Sequence, residues 1–277
     1  MKKSILLVVM CLLSISLMGQ HKIEKSKKEL TAAEGNNRSS SSSRNSNSSS
    51  SNSNSGILEP ILGFFFKITF KAVFLGAVGD YMREDHLNYS LSSYPYCKGE
   101  EGNYLNFEAD TLSRHPMRFD VQNNFLYNDS QLYGNHLKLK IRPFQYFYLQ
   151  SDYHQLLEID PIDHSRGNLA LFQFNFGYDR LRFEKFNLGW TLGATYVGSE
   201  VQKTGLSAGI NAEWFMSHHL SFNGSVKWSG INGQPVNFYE LQGKFHRKNY
   251  FFTAGFEHLK IGSPNYDFIA LGMGIYL

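Results

Sequence analysis

Cysteine is scarce in this sequence, which contains only Cys11 and Cys97. Cys11 lies within an apolar run that we expect to leave with a signal peptide, so that one thiol remains. A single cysteine excludes an intramolecular disulfide and a metal site built from cysteines. An exported chain without disulfides needs another source of stability, and a closed, hydrogen-bonded β-barrel provides one.

Strong charge and recognisable chemical motifs are also missing. The net charge is only +3 and no Lys/Arg-rich stripe occurs in the body of the chain, so nothing favours nucleic acid as a partner. No glycine loop of the phosphate-binding kind and no cluster with metal-ligand spacing is present. We therefore expect no cofactor, no metal and no catalytic residues.

What the sequence does contain is alternation with a period of two. In the segment 267–277 every second residue is a large apolar one, and the intervening residues are mostly small. The same pattern occurs in 170–178, 188–196, 206–214 and 220–228. Such alternation predicts strands with one apolar face. A last strand that ends on its apolar face is expected in a closed barrel, where both of its edges are paired.

The composition of the polar faces favours a membrane barrel over a soluble one. These faces carry mainly Gly, Ser, Asn and Thr, which suit a crowded aqueous lumen, and aromatic residues collect near the strand ends. We expect an all-β fold, an antiparallel up-and-down transmembrane β-barrel of about 12 strands in residues 86–277. Ten strands is the alternative, because the first hairpin, within 86–112, has the weakest pattern.

The N-terminal region divides into three predicted parts. Residues 1–19 resemble a cleaved signal peptide, and the Ser/Asn-rich residues 20–56 predict a disordered linker. Residues 57–80 are strongly apolar but contain Lys67 and Lys71 near their middle, which disfavours a spanning helix. Because these lysines share one helical face, an amphipathic helix at the membrane interface or a plug at the barrel mouth is preferred. An additional strand is the alternative.

Charged residues at lumen-facing positions are the candidate site residues. Opposite charges inside a barrel usually pair and stiffen or plug the lumen, whereas a ring of them can set the selectivity of a pore. The candidates are Arg118, Asp120, Lys138, Lys140, Arg142, Asp152, Glu213, Lys227, Glu240 and Lys244.

Two further motifs contain residue types that can carry chemistry. Asp163, His164 and Ser165 lie in an outer loop, but adjacent residues of a strand point to opposite faces, so His164 is poorly placed to activate Ser165. His218 and His219 lie in a tight turn that offers no third metal ligand. We interpret both motifs as polar turns without a special role.

The alternating strands, the aromatic strand ends and the final segment ALGMGIYL resemble those of Gram-negative outer-membrane β-barrel proteins. The chain departs from the usual terminal Phe by ending in Leu277. The resemblance implies location in the bacterial outer membrane, contact with outer-membrane lipid and insertion by the barrel assembly machinery. It implies a non-enzymatic structural or surface-interaction role. The alternatives are a narrow passive channel for small solutes and an outer-rim lipid hydrolase.

Overall fold

The computed structural model describes residues 22–32, 76–97, 102–106, 117–144, 146–161, 164–217 and 219–277. The predicted signal peptide, the Ser/Asn-rich tract from residue 33 onwards and residues 57–75 lie outside these ranges. Asp163 and His218 lie outside them as well.

Ten antiparallel strands form a closed barrel in which each strand pairs with its neighbours in sequence and the last pairs with the first. At the closing seam Leu271 lies opposite Phe125. The expected all-β membrane-type barrel is therefore confirmed. The strands are β3 (Arg118–Tyr127), β4 (Leu132–Arg142), β5 (Phe147–Ile159), β6 (Arg166–Arg182), β7 (Phe186–Val197), β8 (Lys203–Ser217), β9 (Leu220–Ile231), β10 (Gln234–Arg247), β11 (Tyr250–Ile261) and β12 (Asn265–Tyr276).

The barrel has the smaller of the two strand numbers considered, because the first predicted hairpin is not part of the wall. Within 86–112 the described strands are β1 (Ser90–Leu91) and β2 (Tyr104–Leu105), which pair only with each other. Two residues are far too few to span a membrane, which takes about 9–11 residues of tilted strand. A short 3₁₀-helix, Asp85–Asn88, precedes them.

The prediction of a disordered linker over residues 20–56 is wrong near its start. There, Lys22–Ala32 form a helix, α1. Its buried residues are Ile23, Ser26, Lys27 and Leu30. This spacing of three to four residues places all of them on one helical face. The face has a partner in the barrel mouth, which explains why a largely charged segment is ordered.

The faces of the barrel are oriented as a membrane barrel requires. Large apolar side chains point outwards, and Leu271 and Met273 are 56% and 63% exposed. The lumen side is polar, with Gln122, Asn124 and Thr253 buried. A soluble barrel would show the reverse arrangement, with its apolar face inside and its polar face in water.

The two ends of the barrel are closed by different segments. The terminal end is where β3 begins and β12 ends, and the far end carries the connections 128–131, 160–165, 198–202, 232–233 and 262–264. At the far end α1 lies over an apolar layer that includes Leu126, Leu156, Phe238 and Phe268. At the terminal end the lumen receives the inner plug, which we define as the described residues of 85–105.

Candidate functional site: the closed lumen

The centre of the lumen is crossed by ion pairs between distant strands. Lys138 of β4 donates to Glu240 of β10 at 2.6 Å, and Lys227 of β9 contacts Asp152 of β5. In each case three strands separate the two partners around the ring. Both pairs are nearly inaccessible to solvent. These bridges therefore connect almost opposite walls and fill the lumen at mid-height.

A buried imidazole lies at the centre of this network. Nδ1 of His136 is 3.0 Å from both carboxylate oxygens of Glu257, and its Nε2 is 3.1 Å from Oδ1 of Asp152. A ring that faces carboxylates at both nitrogens is satisfied when both nitrogens carry protons. Glu257 also accepts hydrogen bonds from Asn124 and Gln242. This hub ties β4, β5 and β11 together by charge-assisted hydrogen bonds.

His136, His154 and Glu257 are close enough to be considered as metal ligands, with one donor atom of each within 4.8 Å of the others. The two imidazoles, however, are stacked, with centroids 3.7 Å apart and planes inclined by 23°. A metal bound by two imidazoles lies near the plane of each ring, which nearly parallel stacked rings do not allow. Since both nitrogens of His136 also face carboxylates, we interpret the trio as a hydrogen-bonded hub.

The remaining predicted lumen charges lie nearer the terminal end. Arg118 donates to Asp120 at 2.7 Å, and Arg142 Nη1 donates to Asp179 at 2.6 Å. The ammonium group of Lys140 lies 4.6 Å from the centroid of the Tyr148 ring. Lys244 pairs with Glu213 at 3.2 Å.

All ten predicted residues thus have charged or aromatic partners in the lumen. Sequence reasoning missed His136, Asp179 and Glu257 as members of this network. The alternation of the strands does place each of the three on an inward face, and that was the available signal.

The inner plug binds the barrel wall at the terminal end through polar contacts. Nη1 of Arg118 donates to the carbonyl of Ser92 at 3.1 Å and to the side chain of Asn103 at 3.0 Å. Asn103 in turn donates to Glu213 at 2.7 Å, and the hydroxyl of Tyr96 donates to the carbonyl of Leu220 at 2.7 Å. The plug therefore uses wall charges as its binding partners and closes this end.

At the far end α1 is docked by specific hydrogen bonds. Glu158 accepts from the backbone N–H groups of Lys22 and Ile23, which are free donors at a helix N-terminus. The Ser26 hydroxyl lies 2.7 Å from that of Tyr266. At the other end of the helix, Asn232 donates to the carbonyl of Leu30 at 2.6 Å. The helix is thus held at both of its ends.

Glu29 of α1 is bound by the last hairpin loop. Partial burial acts to raise the pKa of Glu29, but hydrogen bonds from the side chain and backbone of Ser263 and the charge of Lys25 outweigh it and lower that pKa. The carboxylate is therefore ionised at neutral pH and holds the loop 262–264 against the helix.

Little free space remains within the central network of the lumen. Among the described residues, the cavities within the central network have volumes of about 10 Å³, beside His136, and about 30 Å³, beside Lys140. A water molecule needs about 10–15 Å³. Spaces of this size hold a few waters at most and do not form a continuous pore.

The predicted turn with His164 and Ser165 closes the β5–β6 connection. His164 has a left-handed backbone conformation, with φ of 55°, and its N–H donates to the carbonyl of Asp160. The carbonyl of Ser165 accepts from Asp160 N–H. The described backbone contacts of both residues are therefore those of a loop closure.

Solved structures that resemble this chain include outer-membrane proteins and a porin. Ail of Yersinia pestis in a phospholipid nanodisc is 15% identical, with a TM-score of 0.34 over 58% of this chain and 100% of its own. The KdgM porin is 5% identical, with a TM-score of 0.35 over 57% and 98%. An outer-membrane channel of Pseudomonas putida F1 is 7% identical, with a TM-score of 0.36 over 62% and 100%.

Sequence comparison gives no further guide. No protein-family model matches the chain, and no curated protein matches it at a significant level. Among the described residues, no helix has the length and hydropathy needed to cross a membrane. The strand pairing described above establishes the fold. The contents of the lumen are the feature that bears on the role of the protein.

Proposed function

We propose that this protein is a non-enzymatic barrel of the bacterial outer membrane with a structural or surface-interaction role. The observation that carries the proposal is the closed lumen, which three successive layers fill: α1 with its apolar layer, the central ion pairs and the inner plug. Outward Leu, Met and Phe side chains support contact with lipid. The even number of strands places both barrel termini at one end. In bacterial outer-membrane barrels that end faces the periplasm, which would place α1 at the cell surface.

Conductance of the refolded protein in a planar bilayer tests this proposal. We expect no steady single-channel current from the full chain, because side chains from nearly opposite walls meet in the lumen. Migration of the unboiled protein as a compact, heat-modifiable band controls for folding. A steady open current from the compact form would contradict the structural role.

A narrow channel is the second candidate, and one observation favours it. Both end closures are made by segments outside the barrel wall, α1 and the inner plug, and such segments can in principle move away. A variant lacking both closures, residues 22–32 and residues 85–105, separates the two functions. The channel predicts that this variant conducts, whereas the structural role predicts continued silence because the Lys138–Glu240 and Lys227–Asp152 pairs remain.

A further inference from the structure

Lys140 is left over when the ion pairs of the lumen are assigned. Between the apolar layer beneath α1 and the inner plug, six carboxylates point into the lumen, and each is paired with a different cationic group. The pairs are Asp120 with Arg118, Asp152 with Lys227, Asp179 with Arg142, Glu213 with Lys244, Glu240 with Lys138 and Glu257 with His136. Lys140 is a further cationic group of this region, and no carboxylate of the described residues lies within ion-pair distance of its ammonium group.

The described contact of Lys140 is aromatic. Its ammonium nitrogen lies 4.6 Å from the centroid of the Tyr148 ring, which covers one side of the group. The guanidinium carbon of Arg142 lies 4.8 Å from the same ring, so a second positive charge is close by. A ring face attracts a cation but does not neutralise its charge. Because an uncompensated charge is costly in a poorly hydrated space, Lys140 is expected to bind an anion there.

A cavity beside Lys140 has the same imbalance of charge. The charged side chains that line it are two carboxylates, Asp120 and Glu213, and four cations, Arg118, Lys138, Lys140 and Lys244. Arg118 and Lys244 pair with the two carboxylates, and Lys138 pairs with Glu240. The surplus of one positive charge at this cavity is therefore the charge of Lys140.

The size and position of the cavity restrict its occupant. Its volume is about 30 Å³, and a water molecule needs about 10–15 Å³. A monatomic anion such as chloride fits such a space, whereas a tetrahedral oxyanion such as sulfate is too large. The bridge from Lys138 to Glu240 lies on the far-end side of the cavity. On the other side Asn103 of the inner plug bonds to both Arg118 and Glu213.

We propose that this cavity is a binding site for one chloride ion, held mainly by the ammonium group of Lys140. The anion supplies the negative charge that Lys140 lacks, between the barrel wall and the inner plug. It therefore stabilises the plugged form of the lumen. The proposal rests on the contacts of the lumen and goes beyond the proposed function, because it does not depend on the role of the barrel in the membrane.

Binding of radiolabelled chloride to the full chain tests the proposal. The protein is refolded in a non-ionic detergent in the presence of the label, so that the anion does not have to pass the closed ends. Bound label is then measured by equilibrium dialysis at constant ionic strength, with gluconate as the balancing anion because it is too large for the cavity. The test variant is Lys140→Gln. The matched control is Lys248→Gln, which makes the same change of charge at an exposed position.

We expect the original chain and Lys248→Gln to bind one chloride per barrel. Binding by Lys140→Gln should be roughly tenfold weaker or more, because a charge-assisted contact is lost. Unlabelled bromide should displace the label, whereas sulfate should not, because of its size. The compact heat-modifiable band checks that each variant is folded, and Lys140→Gln should fold because it removes an uncompensated charge.

The stability of the compact band gives a second readout. Replacing gluconate with chloride should raise the temperature at which this band converts to the unfolded band in the original chain, because a ligand that binds only the folded state stabilises it. In Lys140→Gln the conversion temperature should be the same in both salts.

Three results would overturn the proposal. They are the absence of saturable chloride binding by the original chain, equal binding by Lys140→Gln, and displacement of the label by sulfate as effectively as by bromide. The last result would assign the chloride to an exposed basic patch. A barrel that conducts but still binds one chloride at Lys140 refutes only the closed-lumen role. The two proposals can therefore fail separately.

Discussion

At the scale of single residues, the lumen is held by charges that compensate one another in a space nearly free of bulk water. Asp152 illustrates this, because it contacts both His136 and Lys227 and is itself fully buried. Buried ion pairs add little net stability when they are intact, but removing one partner leaves an uncompensated charge. Removal of a single member of the network should therefore destabilise the barrel more than the intact ion pair stabilises it.

Replacing Asp152 with Asn should destabilise the barrel by about 3–5 kcal/mol, since the Lys227 ammonium and one nitrogen of His136 would lose their charged partner. The free energy of unfolding in urea, measured on protein folded into vesicles, checks this prediction. The matched control is Asp267→Asn, because Asp267 pairs with His258 at a site where it is 48% exposed. There the loss should be at most about 1 kcal/mol. Equal losses in the two variants would contradict the prediction.

The sequence predicted which way these residues point, but not which of them meet. Alternation within β4 and β10 places Lys138 and Glu240 on inward faces, and that much follows from a period of two. Their contact depends on the number of strands and on how the sheet closes, because partners separated by three intervening strands become neighbours only across the lumen. Hence the hub of His136 and Glu257 could not be derived from local pattern.

At the scale of elements, α1 covers the far end of the barrel, and its apolar face packs on the apolar layer of the barrel beneath it. Ile23 and Leu30 are fully buried in that layer. Ile23→Asp should release the helix, because an unpaired carboxylate cannot be accommodated in an apolar environment. Limited trypsin digestion of folded protein in vesicles should then cleave at Lys27, which is buried in the docked helix.

The control for this variant introduces the same charge on the exposed face of the helix. Thr31 is exposed, so Thr31→Asp should leave Lys27 as resistant to trypsin as in the original chain. If Lys27 stays resistant in Ile23→Asp as well, the apolar face of α1 does not hold the helix in the mouth.

The segment that leads into the inner plug should respond to acid. Arg180 donates two hydrogen bonds to Glu84, at 2.8 and 3.0 Å, and lowers the pKa of its carboxyl below the usual 4.5. A lowered folded-state pKa contributes stability above pH 4.5 that is lost as the pH falls through the folded value. Burial, together with Arg180 and Arg182, lowers the pKa of His86 despite the charge of Glu84, so its protonation acts in the same direction.

Amide hydrogen exchange of Arg83 and Glu84, corrected for the intrinsic effect of pH, measures this response. Both amides donate to the carbonyl of Asp80, and their protection should decrease as the pH is lowered below about 4.5. In Glu84→Gln the protection should be weaker at neutral pH and change less on acidification. A pH response of unchanged size in that variant would assign it to another group.

The two regions whose structure was predicted wrongly, 22–32 and 86–112, share a physical cause. The sequence signal for α1 is weak because its apolar face consists of little more than Ile23 and Leu30. The helix is stabilised by partners such as Glu158, which lies more than 130 residues away in the sequence. The hairpin predicted within 86–112 has only a weak alternation. Its described strands, β1 and β2, are two residues long and too short to span, and Tyr104 of β2 instead donates to Asp179 of the wall. In both regions the structure is determined by contacts with distant barrel residues and not by the local sequence pattern.

At the scale of the whole molecule, the seam between β12 and β3 converts a sheet into a barrel. Gly272 lies at this seam opposite Asn124, and a Cβ at residue 272 would come within 2.3 Å of the Asn123 carbonyl oxygen. Because backbone would have to shift, Gly272→Ala should weaken closure by about 1–3 kcal/mol. The temperature at which the compact gel band converts to the unfolded band should fall.

Gly243 provides the matched control for this substitution. Gly243 is also an interior residue of a barrel strand, β10. A Cβ added there would lie 3.7 Å from its nearest atom, the Ala254 carbonyl oxygen, which is an ordinary contact distance. Gly243→Ala should therefore leave the conversion temperature nearly unchanged. Equal decreases in the two variants would show that loss of glycine, and not crowding at the seam, is responsible.

The docking of α1 has a consequence for the order of events during biogenesis. Its Ser26 hydroxyl bonds to Ile261 and Tyr266, which are separated from it by 235 and 240 positions and belong to the final hairpin. The first described residues of the chain thus gain their binding site only after the last strands have been synthesised. Contacts of such long range form slowly. Closure of the far end by α1 should accordingly be the concluding step of maturation.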